Sequence, residues 1–367
     1  MANGLAPYIC NDIMAIAGQA TPSRKLNLNG FLAVCYNNNI NSPITTIFPN
    51  GNKKDVTVRY RQRPTVAMTD TAQSCTDVLL PARLEVSTTV GSTRQIAYML
   101  SDQLVASYNE EAAQRMAMGG NPNMGASAEM MDIIYSAANA LLTAMNTDML
   151  GLLSWGKNVV SNLITATTLN INPSAASNLL TEGEAKLLSD YTLNGLGGRP
   201  QIVGAGLFHA YSLQQSFKGL NNAGINTAIA NAGWDFFPDS QFATTIGANN
   251  IGVFESGSVH VLEALEYQGF AAGQFPGDSV YGTIPINYTD FLGNTAAILF
   301  DFQLRYITCP TVFVDAYTGS NAASQTKGWQ LILKKNFGLF QIPSDAYRLD
   351  DPKNKVNGAL RYNVTNA

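Results

Sequence analysis

The sequence predicts an α+β fold, and three observations predict it. One uninterrupted helical pattern runs from Ala126 to Trp155. Strictly alternating strands lie before it and again late in the chain, and short apolar strands take turns with helices in between. Within the helix, Met130, Ile134, Ala137, Leu141, Met145, Met149 and Leu152 recur at three- and four-residue spacing, which places them on one face. Ser127 is the expected N-cap. Glu129 and Asp132 fall in the first turn, where the helix dipole favours negative charge, and Gly156-Lys157 supplies a stop. At 1.5 Å per residue the element would be about 45 Å long. Asp132, Asn139, Asn146 and Asp148 interrupt its apolar run, so it does not read as a membrane span.

Taken in order, residues 1–54 read as an arm. Leu5 to Ile16, Phe31 to Tyr36 and Ile44 to Phe48 are short apolar pieces separated by polar punctuation, none long enough to bury a core alone. Alternation begins at Asp55, with Val56, Val58 and Tyr60 on one face and Thr57, Arg59 and Arg61 on the other. It returns with Leu84, Val86, Thr88 and Val90. Two strands joined by the polar stretch Thr69 to Ala82 make an extended hairpin, which needs a neighbour to lie across because an isolated hairpin is marginally stable in water. A shorter helix is expected from Asp102 to Met116, ended by Gly119-Gly120-Asn121-Pro122.

After the long helix, Thr181-x-x-Glu184 is a capping-box pattern before Ala185 to Leu188. Gln201 to Gly204, Ile251 to Phe254 and Val259 to Leu262 read as strands, Leu207 to Phe217 as a helix, and residues 268–295 as a Gly/Pro-rich loop. Ile298, Phe300, Phe302, Leu304 and Tyr306 alternate over a long strand. Val312 to Ala316, Trp329 to Leu333 and Phe337 to Ile342 read as three more, and the tail from Ser344 as an exposed arm.

The chain offers little for catalysis. Two histidines, His209 and His260, exclude a multi-histidine metal site, and each reads as structural. Cys10, Cys35, Cys75 and Cys309 form no C-x-x-C pair and are expected to be reduced thiols. Gly204-Ala205-Gly206 follows a strand and opens a helix, but the third glycine is replaced by His209 and no P-loop lysine follows, so a tight turn is the better reading. No enzyme, cofactor or metal is therefore expected. A net charge of −4 gives no basic footprint for nucleic-acid binding. Only 13% of residues are charged, about half the usual quarter, which suits a surface covered in a large assembly or a secreted protein. The N-terminus lacks a basic n-region, and no signal peptide is expected.

The order of these parts resembles that of major capsid proteins of tailed bacteriophages, the Hong Kong 97-type fold family. The resemblance implies an N-terminal arm (1–54), an extended loop or β-hairpin (55–96) and a peripheral domain (97–170) built on a spine helix at 126–155. It further implies an α/β axial domain (171–295), entered through Gly197-Gly198-Arg199-Pro200-Gln201-Ile202-Val203-Gly204, then return strands of the peripheral-domain sheet (296–343) and a C-terminal arm (344–367). The family implies a virion protein, assembled in the host cytoplasm, that builds icosahedral shells from hexamers and pentamers of itself around double-stranded DNA. It binds no DNA sequence and no membrane; a portal and scaffold or decoration proteins are its expected partners. Some members crosslink a hairpin lysine to a neighbour's asparagine. Here no lysine occurs from Asp55 through Gly156, so noncovalent contacts are expected instead, from Arg59, Arg61, Arg63, Val66, Met68, Val78, Leu79 and Arg83. The alternatives are a tail-tube or head-decoration protein, a soluble α/β enzyme with a polar cleft near Gly204 or Glu255, and a secreted binding protein.

Overall fold

The computed structural model describes residues 30–41, 45–47, 54–61, 83–101, 124–158, 166–171, 184–211, 234–266, 279–289, 295–309, 326–343 and 357–366, with isolated positions between them. The expected apolar piece Leu5 to Ile16, the hairpin tip Thr69 to Ala82 and the strand Val312 to Ala316 lie outside these residues, as does nearly all of the helix Asp102 to Met116. The chain packs as two units. One comprises residues 1–28, 92–144 and 263–336, the other residues 29–91, 145–262 and 337–367.

Most of one sheet of long strands belongs to the first unit. Strands β4 (Ser92–Ser101), β10 (Ser279–Thr289), β11 (Thr295–Cys309) and β12 (Thr326–Gln341) lie in the order β10-β11-β12-β4, with β9 (Val259–Ala264) also pairing with β12. The alternation predicted at Ile298 to Leu304 is realised: Ile298, Phe300, Phe302 and Leu304 are all buried. Two expectations are corrected here. The stretch placed in a loop at 268–295 contains β10, antiparallel to β11 from Ser279↔Arg305 to Thr289↔Thr295. Ile284, Ile286 and Tyr288 turn inward, while Pro285 faces out on an edge strand, where a missing N–H costs least. The two strands expected at 329–333 and 337–342 are one, because Lys334-Lys335-Asn336 continues the strand instead of breaking it.

Continuity there depends on ion pairing. Lys335 is buried, with its Nζ 2.8 Å from Glu263 Oε2, donating to the Leu299 carbonyl at 2.5 Å and lying 5.2 Å from the Phe300 ring centroid. Lys334 pairs with Glu266 at 2.5 Å, and the Glu266 amide donates to buried Asp301. Removing one partner of a buried pair strands a charge, whereas removing the charge itself costs far less. Glu263→Gln is therefore expected to cost about 2–3 kcal/mol and Lys335→Met much less, as read from urea unfolding. Equal losses would show that Glu263 is not what holds the buried ammonium.

The second unit contains the hairpin and a mixed sheet. Helix α1 (Gly30–Asn41) leads to β1 (Thr45–Ile47), β2 (Asp55–Arg61) and β3 (Arg83–Thr89), in the order β1-β2-β3. The other sheet has the order β5-β13-β8-β6-β7, made of β5 (Thr167–Asn170), β6 (Gln201–Gly204), β7 (Asp235–Pro238), β8 (Asn250–Phe254) and β13 (Ala359–Thr365). Its core joins Leu169, Ile202, Val253, Leu360 and Tyr362 to Leu187 and Tyr191 of helix α3 (Glu184–Leu193), the helix expected after the capping box. The expected C-terminal arm is corrected by β13, which lies between β5 and β8 with Leu360, Tyr362 and Val364 buried. Asn357-Gly358 and Asn363 hide that short alternation. The arm 1–54 is likewise corrected at α1, where Phe31, Leu32, Val34 and Cys35 are all buried.

The long helix α2 is observed at Met124–Leu152, close to expectation. Ile134, Ala137, Leu141, Met145 and Met149 are buried as predicted, and Tyr135, Ala138, Leu142 and Leu150 widen the stripe. Leu152 is exposed at the last residue. Because the helix starts earlier than expected, Ser127 lies inside it and Glu129 and Asp132 fall beyond its first turn.

Candidate functional site

The hairpin carries the residues singled out from the sequence. Strands β2 and β3 run antiparallel from Asp55↔Thr89 to Arg61↔Arg83. Val56, Val58 and Tyr60 turn inward and are buried, with the Tyr60 ring 6.3 Å from Phe340. The hairpin base thus has a core in its own subunit, which corrects the expectation that it depends wholly on a neighbour.

The outward face is a ladder of polar rungs. Thr89 Oγ1 donates to Asp55 Oδ1 at 3.0 Å, Thr57 and Ser87 hydroxyls meet at 3.3 Å, and Arg59 Nε lies 2.5 Å from Glu85 Oε1. These pairs are solvent-exposed, so each is worth a few tenths of a kcal/mol to about 1 kcal/mol, enough to fix register but not to bind a partner strongly. Arg61 and Arg83 are cross-strand partners at the next rung. Arg63, Val66, Met68, Val78 and Leu79 lie outside the described residues.

A buried polar hub at the start of α1 escaped the sequence reading. Asp239, preceding the short helix α4 (Ser240–Thr245), accepts from the Gln241 and Phe242 amides through Oδ1. Its Oδ2 accepts from the Phe31 amide at 3.0 Å and from Asn146 Nδ2 at 2.9 Å. Asn146 Oδ1 in turn accepts from the Leu32 amide at 2.9 Å, and its Nδ2 also reaches Gln241 Oε1 at 2.7 Å. Two side chains therefore satisfy the first amides of α1 and of α4 together. Gly30 has φ +59, and a Cβ there would fall 2.0 Å from Asp239 Oδ2, so only glycine lets the helix start this close. The sequence signal was Asn146 itself, a polar residue inside the apolar stripe of α2.

A second buried network holds α3 to its sheet. Tyr362 donates to Asp190 Oδ2 at 3.3 Å. Asn158 Nδ2 reaches the same oxygen at 3.2 Å, and Asn194 Nδ2 donates to Asn158 Oδ1 at 3.0 Å. Burial, then the neighbouring Asp190 charge, push the Tyr362 phenol far above its ordinary value, so it stays a donor.

Gly204, His209 and Glu255 each make packing or hydrogen-bond contacts. A Cβ on Gly204 would lie 2.6 Å from Ile251 Cγ2, and the Gly204 carbonyl accepts from the Asp239 amide. The glycine permits this close strand contact. His209 stacks on Phe236 at 5.4 Å, and buried Glu255 accepts from the Gly197 amide at 2.6 Å. Among the described residues no group of three or more His, Cys, Asp or Glu side chains is placed to hold a metal. No described helix is long and apolar enough to cross a membrane.

No protein-family model matches the sequence, and no curated protein matches it. Among solved structures, the chain is similar to one described as Mycobacterium phage Bobi, at 11% identity and a TM-score of 0.41 over 97% of this chain and 98% of that one. It is also similar to the cyanophage A-1(L) capsid asymmetric unit, at 9% identity and 0.41 over 86% and 90%. The capsid structure of cyanophage P-SCSP1u follows at 11% identity and 0.38 over 88% and 89%.

Proposed function

We propose that this protein is the major capsid protein of a tailed bacteriophage, a structural protein that assembles as hexamers and pentamers into the head shell around packaged double-stranded DNA. The observation that carries the reading is the hairpin β2–β3. Its described rungs close on a core of the same subunit, and 21 residues of sequence, 62–82, connect its two strands. Its place in the order of elements also fits, ahead of the 29-residue helix α2 and the long strands β10 to β12. In this reading the contacts to neighbouring subunits come from Arg59, Arg61, Arg63, Val66, Met68, Val78, Leu79 and Arg83. The arm is shortened to the residues before α1, and β13 belongs to the sheet that the axial domain supplies. The shell holds DNA without gripping it, consistent with a net charge of −4. Portal, scaffold or decoration proteins are its partners, assembly takes place in the host cytoplasm, and the protein catalyses no reaction.

Assembly is the direct test. Purified protein is expected to elute as hexamers, pentamers or closed shells and to show particles by electron microscopy. With no lysine from Asp55 through Gly156, boiled and reduced particles should run as one band near 39.3 kDa. A monomer at all salt and protein concentrations would overturn the shell reading; a ladder of multimers would overturn only the noncovalent part.

A further inference from the structure

We propose that His260 is a pH-operated latch that fastens the C-terminal turn of α1, and with it the root of the hairpin sheet, to β9. The proposal is independent of the shell reading. His260 is fully buried on β9, and each ring nitrogen faces an oxygen: Nε2 lies 2.8 Å from the Gly257 carbonyl and Nδ1 lies 3.1 Å from Asn39 Oδ1. The carbonyl can only accept, so Nε2 must carry a hydrogen. Asn39 is held in its orientation because its Nδ2 donates to the Val261 carbonyl at 2.8 Å. A neutral ring protonated on Nε2 therefore turns a lone pair toward Asn39 Oδ1, acceptor against acceptor. Turning the amide over moves the conflict to Val261, whose carbonyl would then face an oxygen. Only the imidazolium, with hydrogens on both nitrogens, satisfies all three contacts.

In the same turn of α1, Asn38 Nδ2 donates to the Val259 carbonyl at 3.0 Å, while its buried Oδ1 has no hydrogen-bond partner among the described residues. Directly downstream, Thr45 opens β1 of the hairpin sheet. Among the described residues, the charged groups nearest in the chain have partners of their own. Helix α1 has no charged residue, and its titratable groups are Cys35 and Tyr36. The turn before β9 brings Glu255, which accepts from Gly197; β12 brings Phe340, at 6.4 Å between centroids; and Glu263, further along β9, lies beside Lys335. Burial accordingly holds the ring below its ordinary value of 6.5 despite the bond to Gly257.

Two opposite responses to acid follow. The folded ring titrates below the unfolded one, so the unfolded state takes up the proton first. The contribution of His260 to global stability is constant well above 6.5 and falls as pH drops from there toward the lowered native value. Within the molecules that remain folded, protonation adds the Nδ1–H bond to Asn39 and tightens α1. No generic acid destabilisation does both.

Hydrogen exchange on the full chain, corrected for the intrinsic pH dependence of amide exchange, reads the latch. Between pH 7.5 and 4.5, protection at Asn38 to Asn41 should rise about tenfold, the scale of one charge-assisted hydrogen bond. The rise should vanish in His260→Gln and in Asn39→Ala, the second of which leaves the ring in place should the first not fold. In parallel, the ¹⁵N shifts of His260 should pass from one neutral tautomer to the doubly protonated ring. Protection that does not change with pH, an equal rise in both variants, or a ring neutral down to pH 4.5 would each overturn the proposal.

Discussion

A chain lacking residues 69–82 should fold normally and form no closed shells. The described rungs of the hairpin explain the first half: Asp55–Thr89, Thr57–Ser87 and Arg59–Glu85 pair without the tip, and Val56, Val58 and Tyr60 stay buried in their own subunit. A shorter connection costs little, because closure entropy varies slowly with loop length. The second half rests on apolar area. The deletion removes Val78 and Leu79, each of which would contribute about 1.5–3 kcal/mol if fully buried on a neighbour, far more than the arginines, whose contribution is register and specificity. Unchanged far-UV circular dichroism with loss of particles in electron micrographs is the expected result. Normal particles from the shortened chain would remove the hairpin from the assembly contacts and take away the main support for the shell reading.

Asp239→Ala should be among the most destabilising single substitutions in the second unit. Its carboxylate is buried and accepts four hydrogen bonds, from Gln241, Phe242, Phe31 and Asn146. Losing the cap costs about 1 kcal/mol, and each buried donor left without an acceptor costs about 1–3 kcal/mol more. A total near 3–5 kcal/mol is expected from urea unfolding of the subunit. Gly30→Ala attacks the same hub from the other side by forcing a Cβ into the carboxylate at a backbone angle that alanine resists. A loss below about 1 kcal/mol for Asp239→Ala would mean that α1 starts equally well without the hub.

Periodicity carried much of the fold. The spacing from Ile134 to Met149 marked the buried face of α2. The alternation at Val56 to Tyr60 marked the inward face of the hairpin, and that at Ile298 to Leu304 marked the inner face of β11. These patterns are legible because each element is long and buries one face, so its own residues repeat the rule several times. Turn-forming and polar residues hide the same rule elsewhere: Gly282 and Pro285 in β10 and Asn363 in β13 punctuate the alternation of Ile284, Ile286 and Tyr288 and of Leu360, Tyr362 and Val364, and only strand pairing gives them a place.

Polar residues divided along the same line. The sequence excluded a multi-histidine metal site and favoured a tight turn at Gly204-Ala205-Gly206, but it could not say what Asn146, Asp239, Asn39 and His260 do. The partners of Asn146, Asp239 and Asn39 lie far away in sequence, at Leu32, Phe31 and His260. A buried donor or acceptor is stabilised only by the group that faces it, and no local pattern encodes which group that will be. The sequence therefore determined which faces are buried, while the tertiary structure alone decided which buried polar atoms meet.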